Sequence, residues 1–361
     1  MLLSYIKPII GVIGVGLLGF KIVDDARSTV ALWMELGFNH SYAMLVTIKG
    51  QNHWLPFWHQ LPSLAFKMKS MAHKPMPDQS ALIAITARNI EPQFKGFVKN
   101  LTSIQASLDD YLTVIVIDDN ADQTEHLLRQ LVAAYPKMVL VKISNPKGSR
   151  TQRLSKARNA YLAIADQVMN QYRYLMVMDA DLKAVDAPSV SSEIKRQAYQ
   201  VSTANDVNWY YDGWALRTHK QPESCDHLKW PSCWALFDRW FDSTNSNQSL
   251  KTRRIALESE QIPVISAFGG LALYPSSAIQ ACRRHADCQY SAIRESSVNE
   301  TGRPDDDCEH VYFHKQLSKY AGIELYIVPN LLVQHPDMYP KCTIPGAAKR
   351  WMSLPPFKYE S

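Results

Sequence analysis

Four short apolar runs, each but the last followed by a stretch with helical spacing, organise the first half of the chain. ALIAIT (81–86) is continuous and apolar, and after it Phe94, Phe97, Val98, Leu101, Ile104 and Leu108 recur on one helix face. LTVIVI (112–117) is followed by Leu127, Leu128, Leu131 and Val132 at the same spacing, and MVLVKI (138–143) by a helix predicted over 151–169. The fourth run, YLMVM (174–178), stops abruptly at Asp179-Ala180-Asp181. Strands that are apolar on both faces and alternate with helices predict a parallel sheet covered on both sides, an α/β fold. Ligands of such sheets bind beyond the carboxyl ends of the strands, and Asp118, Asp119, Asp179 and Asp181 all fall at such ends.

The fourth strand carries the first chemical signal. Side chains two apart in an extended chain point the same way, so Asp179 and Asp181 can aim at one point past the strand. Hard oxygens in that arrangement suit Mn²⁺ or Mg²⁺, which completes its shell with phosphate and water. A turn in which both carboxylates accept backbone N–H bonds is the alternative. The helix after the third strand adds Arg150, Arg153 and Arg158 near its start, where N–H groups and dipole favour anions. Arg158 lies about 40° from Leu154 on the apolar stripe, so it calls for an anionic partner.

Composition narrows the class. A net charge of +5 over 361 residues, without a dense basic run, argues against a nucleic-acid partner and for a basic cleft around an anionic small molecule. The apolar segment 8–20 lies between Lys7 and Lys21; it is short of the roughly twenty residues a membrane span needs, though 2–23 suffices if the lysines snorkel. Its Gly14, Gly16 and Gly19 match the dinucleotide-binding spacing only formally, because no adequate strand precedes them. Cys282, His285 and Cys288 have a loose zinc-like spacing without a fourth ligand, and the six cysteines permit disulfides without fixing them. Sequons stand at Asn100, Asn247 and Asn299.

GSRTQRLSKARNAYL (148–162), YLMVMDADL (174–182), YYDGWALR (210–217) and FGGLALYP (268–275) together resemble the fungal capsule-associated α-1,3-mannosyltransferases, over about residues 80–335. The resemblance implies a GT-A fold: a Rossmann-like, mostly parallel sheet with a smaller mixed acceptor region, where strand and helix stop alternating after Asp186. From the residues themselves, 1–38 reads as an anchor and stem helix and 39–78, rich in Pro, His and Trp, as a linker; 79–340 is then the catalytic domain, divided near 185, and 341–361 a tail. The implied reaction transfers mannose from GDP-mannose to a glycan, with retention of anomeric configuration.

By the same resemblance Asp179, Asp181 and His335 hold Mn²⁺ or Mg²⁺, and Thr86, Arg88, Asp118, Asp119, Arg153, Arg158, Asp179 and the glycine loop Gly269-Gly270 contact the donor. Glu309, with Asp307 second, takes the catalytic acid position. Trp209, Tyr211, Asp212 and Trp214 form the acceptor side, since aromatic faces beside carboxylates suit sugar rings. A membrane-anchored enzyme of the Golgi or secretory lumen is implied, with an intracellular or viral setting as the alternative. A sugar nucleotidyltransferase shares the sheet, but Thr86-Ala87-Arg88-Asn89 lacks its glycines. A non-catalytic carbohydrate-binding protein is the remaining alternative.

Overall fold

The computed structural model describes residues 41–48, 51–56, 76–144, 146–207, 210, 212, 214–219, 255, 257, 259–292 and 307–336, the first two stretches in backbone course alone. Residues 2–23, Trp209, Tyr211, Asn247, Asn299, Cys225, Cys233 and Cys342 lie outside them. In chain order the elements are β1 (Ser41–Ile48), β2 (Gln51–Pro56), β3 (Ser80–Ala87), α1 (Phe94–Ala106), β4 (Asp110–Ile117), α2 (Thr124–Ala134), β5 (Met138–Ser144), α3 (Arg150–Val168) and β6 (Tyr174–Asp179). There follow β7 (Ala184–Val185), α4 (Ala187–Arg196), β8 (Val201–Asp206), β9 (Ile262–Val264), β10 (Leu271–Pro275), α5 (Ser276–Cys282), α6 (Glu309–Ala321) and β11 (Leu325–Gln334).

The four apolar runs become β3, β4, β5 and β6, and all are parallel in the order β5-β4-β3-β6. Because chain order reverses at β3, the crevice beyond β3 and β6 is a switch point where a ligand can enter between loops. Right-handed crossovers put α1 and α2 on one face and α3 on the other. There α3 meets α6, which packs on α5, while α1 meets α4. The core between these layers is apolar: Ile83, Ile85, Val114, Ile115, Leu140, Leu175 and Val177 are fully buried in the strands, as are Leu101, Leu128 and Leu162 in the helices. Ser149 caps α3 by accepting from Gln152 N, and Gln152 Oε1 accepts the Ser149 N–H in turn.

Beyond β6 the sheet continues β10-β8-β11-β7, with β9 paired to β11. β10 is antiparallel to both β6 and β8, so its first residue, Leu271, pairs with Met178 one residue before the end of β6. β8 therefore runs with β6, and β11 runs parallel to β8. The consequence is that the ends of β3, β4, β6, β8 and β11 and the start of β10 all meet one edge of the sheet.

Two features depart from the sequence expectation. Strand–helix alternation does not stop at Asp186: α4 and β8 follow. The stretch 39–78, expected as linker, contains β1 and β2, an antiparallel pair that extends the sheet from β5. Cys282 and Cys288 form a disulfide, and His285 between them stacks on Tyr320. Among the described residues no helix is long and apolar enough to cross a membrane.

Candidate active site

The carboxyl edge gathers most of the expected residues. Thr86 stands in register with Asp179 across β3 and β6, and its other neighbour is Val116 on β4. Just beyond, Arg88 Nε lies 3.2 Å from Asp118 Oδ1 and 3.3 Å from the Asp119 carbonyl. Burial raises the Asp118 carboxyl above its usual range, against the pull of Arg88 and Arg153. The loops after β3 and β4 are bolted together here. Asn89, at φ 52°, donates its N–H to Asn120 Oδ1 and accepts from Ala121 N, each at 2.8 Å, while Thr124 Oγ1 accepts the Ile90 N–H at 2.7 Å. This is a rigid rim, and Asp119 is exposed on it.

Arg158 has the anionic partners its position demanded. It is 2 % exposed; Nε donates to Glu309 Oε1 at 2.9 Å and Nη2 to Asp179 Oδ1 at 3.3 Å. Its guanidinium also lies 4.9 Å from the Phe268 ring centre and 5.8 Å from that of Tyr290. Tyr290 is itself clamped to α3, exchanging both backbone bonds with the Asn159 amide. Arg153 acts elsewhere: its charge is felt by Asp118.

Asp179 keeps 31 % of its side chain accessible. Burial of the strand end pushes its carboxyl up to about 6, with Asp181 and Asp212 adding to the rise and Arg158 and His335 opposing it. Its N–H donates to the Gly270 carbonyl at 2.9 Å. Asp181 is exposed, and the turn behind it is pinned by the Asn100 side chain of α1, which donates to the Leu182 carbonyl at 3.0 Å.

The glycine pair is required by space as well as by backbone. Gly269 and Gly270 have φ of 64° and 82°. A Cβ on Gly269 would meet the Ala204 carbonyl oxygen at 2.4 Å, and one on Gly270 would meet His335 Nε2 at 2.9 Å. His335 thus arrives from the end of β11 with Nε2 against the Gly270 backbone. Its ring Nδ1 lies 2.7 Å from Asp206 Oδ2, an oxygen that also accepts the His335 backbone N–H at 2.9 Å. Asp212 reaches the same turn: Oδ2 accepts the Gly269 N–H at 3.4 Å and Oδ1 that of Ala215 at 3.2 Å. Burial raises its carboxyl, and Glu309 adds to the rise while His335 opposes it.

Asp179, Asp181 and His335 therefore share the edge, but among the described residues no three His, Cys, Asp or Glu side chains converge tightly enough to enclose a metal alone. Like charge opposes convergence of the two aspartates, and Asp181 is exposed where His335 is buried. The donor set still suits a hard cation that takes few protein ligands: two carboxylates, one of them raised by burial, and an imidazole whose far nitrogen is tied to a carboxylate. The two expected catalytic acids are both engaged by arginines. Glu309 is buried against Arg158, and Asp307 Oδ1 lies 2.5 Å from Arg217 Nη2. Trp214, expected on the acceptor side, is 37 % exposed.

Sequence reasoning missed Asp206 and Asn100. Asp206 ends VSTAND, a strand whose polar residues look like a loop. Every one of them is buried and several are bonded: Ser202 to Glu193, Thr203 to the Tyr326 carbonyl, Asn205 to the Ile255 and Pro329 carbonyls.

No protein family profile matches the sequence, and no curated protein matches it. Among solved structures the chain is similar to the mannosyltransferase PcManGT from Pyrobaculum calidifontis, solved with GDP-Man and Mn2+: 11 % identity, TM-score 0.41, covering 80 % of this chain and 66 % of that one. It is also similar to S. aureus TarS 1–349, at 13 % identity and TM-score 0.37, covering 70 % and 59 %. TarS 1–349 with UDP-GlcNAc gives 12 % identity and TM-score 0.38, covering 71 % and 58 %. In each case this chain spans less than two thirds of the solved chain.

Proposed function

We propose that this chain is a glycosyltransferase of GT-A architecture that moves mannose from GDP-mannose to a glycan acceptor and depends on a divalent metal. The carrying observation is the meeting at one sheet edge of Asp179, at the tip of β6, with the His335 imidazole across the bare Gly270 backbone. Asp179, Asp181 and His335 would hold Mn²⁺. When bound it supplies charge neutralisation to the diphosphate as that group leaves.

The chain's own residues do the rest. The rim of Thr86, Arg88, Asp118 and Asp119, with Arg153 behind it, receives the nucleoside. Arg158 keeps Asp179 aligned, and the glycine turn lets sugar and phosphates lie against backbone. Asp212 and Trp214, with Trp209 and Tyr211, form the acceptor side. Glu309 and Asp307, spent on Arg158 and Arg217, are positioning groups in this scheme. That fits a retaining transfer, in which the leaving phosphate takes the acceptor proton and no protein base is needed. Inversion would instead need Glu309 or Asp307 as base, each released from its arginine.

The test is release of GDP from GDP-mannose with Mn²⁺ and a panel of glycan acceptors, followed by NMR of the product anomer. Asp181→Ala should lower turnover by roughly 100-fold or more without altering thermal unfolding, since Asp181 is exposed. Full activity in that variant would refute the metal assignment. Donor binding that saturates without turnover would identify a carbohydrate-binding protein instead.

A further inference from the structure

We infer that Asp206 is a positioning residue that fixes the His335 ring in one tautomer and so presents Nε2 to the cation of the proposed site. The inference rests on that proposed function and deepens it. β8 and β11 are parallel, with Val333 opposite Asp206 and the Val207 N–H donating to the Val333 carbonyl at 2.9 Å. This register sets the tip of β8 directly beside the residue that follows β11. Asp206 Oδ2 receives the His335 backbone N–H at 2.9 Å and faces ring Nδ1 at 2.7 Å.

An oxygen that receives an amide N–H is acting as acceptor, so Nδ1 is the donor and carries the ring hydrogen. In a neutral imidazole the lone pair then belongs to Nε2. Backbone and ring are gripped by one oxygen, which removes rotation about the side chain as well as the choice of tautomer. Both residues are buried, at 4 % and 8 % exposure, so water does not compete strongly for the bond. Nε2 emerges where the missing side chain of Gly270 leaves room, beside the residue whose carbonyl receives the Asp179 N–H. Carboxylates that hold a ligand histidine in this way typically improve metal affinity 10–100-fold.

The first measurement needs no variant. In the metal-free, ¹⁵N-labelled full chain, with His335 resonances assigned by comparison with His335→Gln, the shifts should report hydrogen on Nδ1. Asp206→Ala should return the ring toward the Nε2-protonated form and weaken Mn²⁺ binding, followed by electron paramagnetic resonance without donor, by about 10–100-fold. Asp206→Asn, which keeps an oxygen, should fall between. Hydrogen on Nε2 in the unaltered chain, or an unchanged tautomer and Mn²⁺ affinity in Asp206→Ala, overturns the role of Asp206 while leaving the transferase reading standing. Failure of the unaltered chain to bind Mn²⁺ at all, with hydrogen on Nδ1, sinks the metal reading and with it the purpose assigned here.

Discussion

Burial pushes the Asp179 carboxyl to about 6 even though Arg158 and His335 pull it down. Between pH about 4 and 6 the native chain therefore holds a proton that the unfolded chain has released. This residue's contribution to stability is complete below about pH 4 and is withdrawn as pH rises through 6, leaving an unfavourable ionised carboxylate at neutral pH. Asp179→Asn should accordingly stabilise the metal-free protein at pH 7.5, on the order of 1–2 kcal/mol after solvent screening. The gain should vanish near pH 4, read by thermal unfolding across that range. Mn²⁺ should raise the unfolding temperature more at pH 7.5 than at 5.5, because below pH 6 the cation must displace a proton. Asp179 was legible in the sequence for a physical reason: a strand buried on both faces has no use for two terminal acids. Asp206 was not, since Thr203, Asn205 and Asp206 in a buried strand are each paired with a partner more than a hundred residues away, which no local pattern records.

At the scale of elements, α3 and α6 are joined through Arg158 and Glu309, whose side chains are each 3 % exposed. Removing one member of such a pair strands a buried charge, a loss of about 3–5 kcal/mol. Arg158→Met should show that loss in urea denaturation, and Arg158→Met with Glu309→Leu should recover much of it while turnover stays low, because Asp179 has then lost its partner. An Asp179 indifferent to Arg158 would leave the double variant active. The sequence told that Arg158 faced inward and needed an anion; that the anion would be Glu309 as well as Asp179 depended on how α6 packs across α3. Strands β3 to β6 and helices α1 to α3 were readable because each is a long, uniform period. α4 and β8 were not, since α4 is short and β8 is polar.

For the whole molecule, the order β6-β10-β8-β11 decides which distant segments become neighbours. Parallel strands supply Asp179, Asp206 and His335 at their ends, and the antiparallel β10 supplies the glycine turn at its start. Sequence patterning gave the parallel half of this sheet, while the insertion of β10 between β6 and β8 is set by long-range pairing and left no local trace.

The Asn100 side chain illustrates how such packing overrides a surface code. Its amide nitrogen, the atom to which an N-linked oligosaccharide attaches, is the one spent on the Leu182 carbonyl; Leu101 beside it is fully buried, and the Thr102 hydroxyl turns back to the Val98 carbonyl. Sugar on that nitrogen and the native turn behind Asp181 exclude each other. Protein made in a glycosylating host and purified in folded form should carry no glycan at Asn100 by peptide mass spectrometry, so that occupancy there would mark chains that never closed around the site.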